Sequence, residues 1–294
     1  MLGIVLALGA AVCWGSGDFL GGLSTRRASL WAVVAGSQLV GLAAAAAVVL
    51  ASGRPWPGLA ALWPILIGGL AGAVAIATFY KALAIGTMSI VAPITASSAV
   101  VPMLVGLARG ERPSPLQVAG IMLAALGVML AASERQTGEP ESAETEDAPG
   151  STLAAASQRR RSIILALIAA LGIGLMLVGY DASAEHDALW AMFGGRIASA
   201  SFFAVFLLAV RPPLRAPRAV IPLIVGVGLL DTGANGLFAF ATTYGLLSLA
   251  AVIGSLYPVV TVVLAYTLLH ERIARHQQIG VVAALAGVAL ISGG

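Results

Sequence analysis

Five charged side chains interrupt long apolar stretches of this 294-residue chain, and they are the first candidates for chemistry. They are Asp18, Lys81, Asp181, Arg196 and Asp231. A charge moved from water into an apolar medium is costly, so such groups usually face a water-filled cavity or a partner of opposite charge. Arg196 and Asp231 are of opposite sign, and Asn235 lies one helical turn beyond Asp231 on the same face. These three residues therefore predict a polar site inside an apolar fold.

The composition indicates which solvent surrounds that fold. Hydrophobic residues make up 59% of the chain and charged residues 10%, and the mean hydropathy is +0.97. A soluble domain carries about a quarter charged residues, so this chain cannot cover a surface that faces water. The net charge of +3 is too small to indicate nucleic-acid binding. With Cys13 as the single cysteine and the three histidines near helix ends, no metal site and no cofactor are expected.

Ten stretches have roughly the twenty apolar residues that a helix needs to cross a membrane. The first five are 2–21, 30–51, 59–84, 89–108 and 115–133, and the second five are 162–180, 188–210, 219–244, 247–269 and 277–292. Between these sets, residues 134–161 are polar and are interrupted by Pro140 and Pro149. We therefore expect two domains, 1–133 and 162–294, joined by a solvated, disordered linker.

Motifs of the first half recur in the second half at an almost constant offset. Glu111, Arg112, Gly120 and Gly127 recur 160 residues later as Glu271, Arg272, Gly280 and Gly287, and Gly86 and Ser89 recur 159 residues later as Gly245 and Ser248. The chain is therefore a duplicated unit. Because five helices is an odd number, the second copy must insert upside down, and inverted repeats are the usual architecture of secondary transporters with a site near the midplane.

This reasoning predicts an all-α membrane protein of ten transmembrane helices, arranged as two inverted five-helix repeats around a central cavity. In such a cavity, Arg196 and Asp231 could form either a structural ion pair or part of a transport site. Asp18 and Lys81 could pair near the linker side, although Lys81 could equally extend its ammonium group to the interface. Asp181, in contrast, is expected in a solvated loop.

The loop charges predict an orientation. Loops 1–2, 3–4, 5–6, 7–8 and 9–10 share one side and hold Arg26, Arg27, Lys81, Arg135, Arg159, Arg160, Arg161, Arg211, Arg215, Arg218, Arg272 and Arg275. The opposite side holds Arg54, Arg109 and Arg112. Because cytoplasmic loops carry the excess of Lys and Arg, the linker is expected in the cytoplasm and both termini outside.

Uncharged side chains complete the predicted cavity. Its aromatic candidates are Trp14, Tyr80 and Tyr257, and its hydroxyl candidates are Ser97 and Ser98, which could also bond to their own helix. Tyr180 is expected instead to anchor its helix at the interface. Three prolines inside spans, Pro93, Pro102 and Pro258, are expected to act as helix hinges because each removes a backbone hydrogen bond. Glu111 and Glu271 are expected as interfacial helix caps, each beside an arginine.

Two rival functions can be read from the same residues. Gly15-Ser16-Gly17-Asp18 and Tyr180-Asp181 match the GxGD and YD patterns of intramembrane aspartyl proteases, in which two carboxylates share a proton. Their order is reversed here, and the duplication is left unexplained. The other rival is a channel or a lipid flippase on the same scaffold.

The sequence resembles the drug/metabolite transporter superfamily in its ten-helix EamA-type branch. The resemblance rests on Trp14-Gly15, on the repeated Glu-Arg turns, and on the Gly-x6-Gly that follows each turn. Two features depart from the family pattern: Ser98 stands where the second copy has Pro258, and the loop charges place the termini outside, whereas family members usually have both termini in the cytoplasm.

The resemblance implies secondary transport of small metabolites, often as export. With the cavity aromatics, it predicts amino acids or related amphipathic solutes, moved across the inner (plasma) membrane by alternating access. Protons are a candidate coupling ion through Asp18 or Asp231. We expect a monomeric carrier in the lipid bilayer, not an enzyme.

Overall fold

The computed structural model describes residues 1–86, 88–132, 151–270 and 274–294, and all regular secondary structure in these ranges is helical. The helices are α1 (Leu2–Thr25), α2 (Leu30–Ser52), α3 (Leu59–Ile85), α4 (Met88–Ala96), α5 (Val100–Ala108), α6 (Pro115–Ala132), α7 (Ser151–Ala184), α8 (Ala188–Val210), α9 (Ile221–Thr243), α10 (Leu247–Gly254), α11 (Tyr257–Leu269) and α12 (Arg275–Gly293). Nine segments of the described chain are long and apolar enough to cross a membrane, and α4 with α5 makes a tenth. The predicted all-α membrane fold is confirmed.

The fourth and ninth spans, which hold the same place in the two predicted repeats, both break near their middle. A 3-10 turn at Ser97–Ala99 separates α4 from α5, and a turn at residues 255–256 separates α10 from α11. Proline has no N–H to donate, so Pro102 cannot bond to the Ser98 carbonyl and Pro258 cannot bond to the Gly254 carbonyl.

The breaks do not lie at the prolines that were predicted as hinges. Pro258 lies in the first turn of α11 rather than in a helix interior, and the buried Pro102 lies just beyond the 3-10 turn. The side chain of Pro93 lies outside the described residues. Each break thus falls about one turn before a proline, where the missing donor leaves a carbonyl free to bond elsewhere.

The structure corrects the end of the predicted linker 134–161. Helix α7 begins at Ser151, so the last eleven residues of that segment continue into the membrane span as helix. Seven of residues 154–161 are alanine, glutamine or arginine, which are among the best helix formers, and the eighth is Ser157. The rest of the linker lies outside the described residues, as do Glu271 and Arg272.

Helices α6 and α12 pack along the Gly-x6-Gly motifs that follow the repeated turns. A Cβ atom on Gly120 would lie 2.7 Å from the Gly287 carbonyl oxygen, and one on Gly127 would lie 2.7 Å from the Gly280 carbonyl oxygen and closer still to Ala284. Lipid gives no hydrophobic push between helices, so small residues that allow close backbone approach stabilise such pairs. Because Gly120 faces Gly287 and Gly127 faces Gly280, the two helices run antiparallel.

The two halves also interlock through the remaining helices. The first helix of each half packs along the third helix of the other half, α1 on α9 and α7 on α3. If the second half inserts upside down, the last helix of each half must run antiparallel to the other. Helices α6 and α12 do so. The complete repeat arrangement and the domain bounds 1–133 and 162–294 remain predictions.

We call the two ends of the bundle the terminal face and the linker face. Both chain ends lie at the terminal face, where Gly3 packs beside Tyr244 and Gly294 beside Ser114. At the linker face, the Ser29 hydroxyl donates to the Pro213 carbonyl at 2.8 Å, and the Gln158 amide donates to the Ile85 carbonyl at 2.9 Å.

The apolar core is unevenly divided between these faces. One large cluster joins the first half of α1, the ends of α7 and α9, and all of α10, which lie toward the terminal face, and it extends along the α6–α12 seam. Three small, separate clusters lie toward the linker face, around Val220, Phe203 and Ala82. The bundle is therefore more continuously packed in its terminal half than in its linker half.

Gly127→Ala tests the seam. Its Cβ would collide with the backbone of Ala284, so the helices must move apart, at a cost of about 1–3 kcal/mol. Gly22→Ala is the matched control, because an added Cβ there has nothing within 4 Å. We expect a lower thermal unfolding midpoint in detergent for Gly127→Ala and an unchanged or higher one for Gly22→Ala. Equal midpoints would show that the close approach of α6 and α12 is not needed.

Candidate functional site

Polar groups from four helices converge in the linker half of the bundle. The carboxylates of Asp18 on α1 and Asp231 on α9 are close enough to interact electrostatically, and Tyr80 on α3 interacts with both. Tyr257, at the start of α11, interacts with Asp18. We call Asp18, Tyr80, Asp231 and Tyr257 the central site.

The two carboxylates of the central site are open to solvent rather than packed in a helix seam. Helix α3 packs mainly against α7 and α8, whereas α1 packs mainly against α9 and α11, so Tyr80 and Asp18 come within electrostatic range of each other from differently packed helices. Asp18 is exposed to solvent, and the side chain of Asp231 is 40% exposed. A carboxylate at membrane depth needs such access to water or a partner.

The predicted ion pair of Arg196 with Asp231 is present and joins α8 to α9. The guanidinium group is 3% exposed, and it also donates from Nη1 to Gln38 Oε1 on α2 at 3.4 Å. The Ser199 hydroxyl donates to the same Gln38 oxygen at 3.0 Å. Arg196 is thus a buried cation held by three helices, while its partner Asp231 reaches the central site.

Several buried polar atoms beside this pair have no hydrogen-bond partner among the described residues. They are Arg196 Nε, Thr232 Oγ1 and Asn235 Oδ1. A Cβ on Gly41 would contact Thr232 Oγ1 and would lie 3.2 Å from Arg196 Nε, so the approach of α2 to this cluster requires glycine. Sequence reasoning named Asn235 but missed Gln38, Gly41 and Thr232. The signal for Gln38 was available, since it is a long polar side chain inside the otherwise apolar α2.

Trp14 and Gly15 pack α1 against the break in the ninth span. The rings of Trp14 and Phe238 lie 5.7 Å apart, and a Cβ on Gly254 would lie 3.2 Å from the Trp14 ring. The Thr261 hydroxyl donates to the Gly15 carbonyl at 3.0 Å. Trp14 is half-buried, and these contacts give it a packing role beside the central site.

The other predicted cavity residues lie in different surroundings. Ser97 donates to the carbonyl of Ile94 in its own helix at 2.6 Å, Ser98 is buried, and Lys81 is exposed near the linker end of α3. Tyr180 was expected at the interface but is 2% exposed and packs against Gly195 of α8. Glycine at position 195 leaves room for that ring, and the pattern of spans gave no sign of the contact.

Asp181 is not in a solvated loop, which corrects the expectation from its acidic neighbours. It lies in α7, is buried, and binds Arg109 Nη1 at 2.6 Å. A second ion pair joins Arg54 to Asp187 at 2.7 Å. Burial opposes ionisation of Asp187, but hydrogen bonds from Arg54 and from the backbone N–H groups of Trp190 and Leu189 hold its pKa below the usual value. Both pairs lie at the terminal face.

Glu111 caps a helix, as predicted, but the helix belongs to the other half of the chain. Its two carboxylate oxygens accept from the backbone N–H groups of Leu247 at 2.6 Å and Ser248 at 3.0 Å. These are the first two residues of α10, where N–H groups lack partners inside the helix.

The protease reading fails on geometry. Asp181 is bonded to Arg109 and lies beside Thr242, and Thr242 lies eleven residues along α9 from Asp231, roughly 16 Å at the helical rise. Asp18 lies beside Asp231, whereas Asp181 lies beside Thr242, so this distance separates the two carboxylates. Asp18 and Asp181 therefore cannot share a proton.

A small cavity of about 170 Å³ opens at the terminal face, away from the central site. It is lined by Met1, Ile4, Gln117, Tyr244, Leu249 and Ile253, among others. None of the predicted cavity residues lines it, so it is distinct from the water-accessible space at Asp18 and Asp231.

Comparison with protein families now adds to this geometry. The profile of the EamA-like transporter family matches residues 1–133 and 160–293. The chain belongs to the EamA-like transporter family. Membership makes it a multi-pass membrane protein of the drug/metabolite transporter superfamily, as its resemblance implied.

Solved structures share the fold of this EamA-like chain. One, titled "Crystal structure of protein", superposes with a TM-score of 0.78 at 20% sequence identity and covers 98% of this chain and 95% of that chain. At that identity the likeness concerns the fold alone. No curated protein matches the sequence.

The unequal burial of Arg196 and Asp231 predicts unequal costs of losing either partner. Asp231→Leu leaves a cation that is 3% exposed without its counter-charge, which should cost about 3 kcal/mol or more. Arg196→Met should cost less, because the 40% exposed Asp231 side chain remains hydrated. The double variant should recover most of the loss of Asp231→Leu. Thermal unfolding midpoints in detergent measure all three, and equal losses in the two single variants would contradict this account.

Proposed function

We propose that this EamA-like protein is a secondary transporter that exports small metabolites, amino acids or related amphipathic solutes, by alternating access across the inner (plasma) membrane. The observation that carries the proposal is the central site: two carboxylates and two tyrosines from four helices of both halves, around a water-accessible space in a transporter-family fold. An anchored pair, Arg196 with Asp231, fixes one wall of that site. No observation on the described residues favours the channel or the flippase.

The packing supports a conformation that is closed at the terminal face and open toward the linker face. The largest apolar cluster fills the terminal half, whereas the linker half holds small, separate clusters and the solvent-exposed Asp18. A carrier that alternates must loosen the terminal half to reach its second state. The loop charges place the linker face in the cytoplasm, so the described state would face inward.

Three polar contacts between the halves would have to break in that step. They are Arg54 with Asp187, Arg109 with Asp181, and Glu111 with the first turn of α10. Each joins a residue of the first half to one of the second half at the terminal face. We infer that together they form the gate on that side, which we call the terminal gate.

Proton coupling would use the carboxylates of the central site. Asp18 lies near the like charge of Asp231 and has no counter-charge of its own within the described residues, so a proton bound to Asp18 would remove the repulsion between the two carboxylates. Exchange of that proton for solute, at a site open to one face at a time, would couple the two movements.

The flux test uses purified protein in proteoliposomes with a pH gradient and a panel of radiolabelled amino acids. We expect gradient-driven transport of at least one solute by the wild type, and loss of its pH dependence in Asp18→Asn or Asp231→Asn. Glu185→Gln is the control, because it removes an exposed carboxylate at the terminal face. Unchanged pH dependence in both aspartate variants would remove proton coupling, and absence of any flux would remove the carrier.

Arg109→Gln tests the terminal gate. Losing this half-exposed ion pair should weaken the closed state by about 1 kcal/mol and raise the open population about fivefold. The readout is maleimide labelling of Ser248→Cys, a fully buried position on α10, in a Cys13→Ala background. Arg112→Gln is the matched control, an exposed neighbour of equal charge. Equal labelling rates in the two variants would show that Arg109 does not hold the gate.

A further inference from the structure

We propose that the central site binds an organic cation, a solute with a protonated amine or another nitrogen cation, and that Asp18 is its counter-ion. This inference rests on the proposed transport function and names the substrate class for it. It depends on the charges, hydrogen-bond groups and rings that surround Asp18.

The charges around the space do not balance. Of the two carboxylates, Asp231 is neutralised by Arg196, which lies 3% exposed behind it and has its Nη groups engaged by Asp231 and Gln38. Asp18 makes no ion pair or hydrogen bond within the described residues, and the charge that acts on it is the like charge of Asp231. When Asp18 is ionised, the site therefore carries one net negative charge, which a cation would neutralise.

Two of the three nearby buried polar atoms without partners can accept a hydrogen bond, Asn235 Oδ1 and the Thr232 hydroxyl oxygen, whereas the third, Arg196 Nε, is a donor. Asn235 is 5% exposed, lies one turn beyond Asp231 on the same face of α9, and its Oδ1 has no hydrogen-bond partner in the described part of the chain. The Asp18 carboxylate is also without a partner in the described part of the chain, so the site favours a ligand that donates N–H bonds. An ammonium group is such a ligand, since it has donors and no acceptor.

Two tyrosine rings near Asp18 also favour a cation. Tyr80 and Tyr257 both lie within electrostatic range of Asp18, on helices α3 and α11. Aromatic faces attract cations, and the attraction grows where water is reduced. An anionic solute would instead meet two carboxylates, because the guanidinium of Arg196 is buried and already bound.

The experiment compares solutes of nearly equal shape and different charge. Arginine with citrulline and lysine with norleucine are two such pairs. Binding is measured by thermal stabilisation of the detergent-purified full-length protein, and transport by counterflow in proteoliposomes. In the wild type we expect at least one cationic member to bind about tenfold more tightly than its neutral partner, the gain expected of one charge-assisted hydrogen bond or more.

Three variants assign the preference to Asp18. Asp18→Asn should abolish the preference, Asp18→Glu should retain most of it, and Glu185→Gln, which removes an exposed carboxylate elsewhere, should leave it unchanged. Lower pH should weaken cation binding in the wild type, because protons compete for the same carboxylate. This competition tests the site even if Asp18→Asn does not fold.

Three results would overturn the inference. The first is a preference for the cation that survives in Asp18→Asn. The second is binding of the neutral partners as tight as that of both cations, and the third is no binding of either cation. If the wild type nevertheless transports a neutral solute, the carrier function stands and the cation assignment alone falls. If no solute of any charge is transported although a cation binds, the carrier function falls and the cation site stands.

Discussion

Close approach of helix backbones is the constraint on which this structure depends, because apolar side chains gain nothing by leaving lipid for protein. The α6–α12 seam shows how the chain meets it, with Gly120 facing Gly287 and Gly127 facing Gly280. The contact is made by the same motif from each half, so one duplicated sequence supplies both surfaces. Elsewhere in the bundle, Gly41 lets α2 approach Arg196 and Thr232 in the same way.

Most of the bundle is closely packed, so the polar groups that are not packed point to function. Where helices meet through glycine and alanine, little space is left for water, and polar groups there need partners within the protein. Arg196 has them, in Asp231 and Gln38. Asp18 has none and is instead exposed to solvent. A carboxylate that is neither paired nor packed, in a fold that pairs or packs nearly everything at that depth, is the feature that function explains best.

The sequence was sufficient for the all-α membrane fold and for part of the site. Hydropathy predicted the spans, and the charges at Arg196 and Asp231 predicted the ion pair. The break positions were missed in detail, because a proline frees the carbonyl one turn earlier and the helix ends there rather than at Pro102 or Pro258. Asp181 was misplaced for a different reason. Its partner Arg109 lies 72 residues away in the chain, and no local pattern announces such a contact.

Glu111 shows how a transporter could move at a small energetic cost. In the described state its carboxylate satisfies the first N–H groups of α10 across the boundary between the halves. If the terminal half opened, water could take its place at both the carboxylate and the N–H groups, so the net loss would be far smaller than the strength of the bonds in isolation. The same holds for the partly exposed Arg54 and Arg109 pairs. Contacts of this kind leave the closed and open states within a few kcal/mol of each other. A ligand that binds one state more tightly than the other can shift an equilibrium of that size.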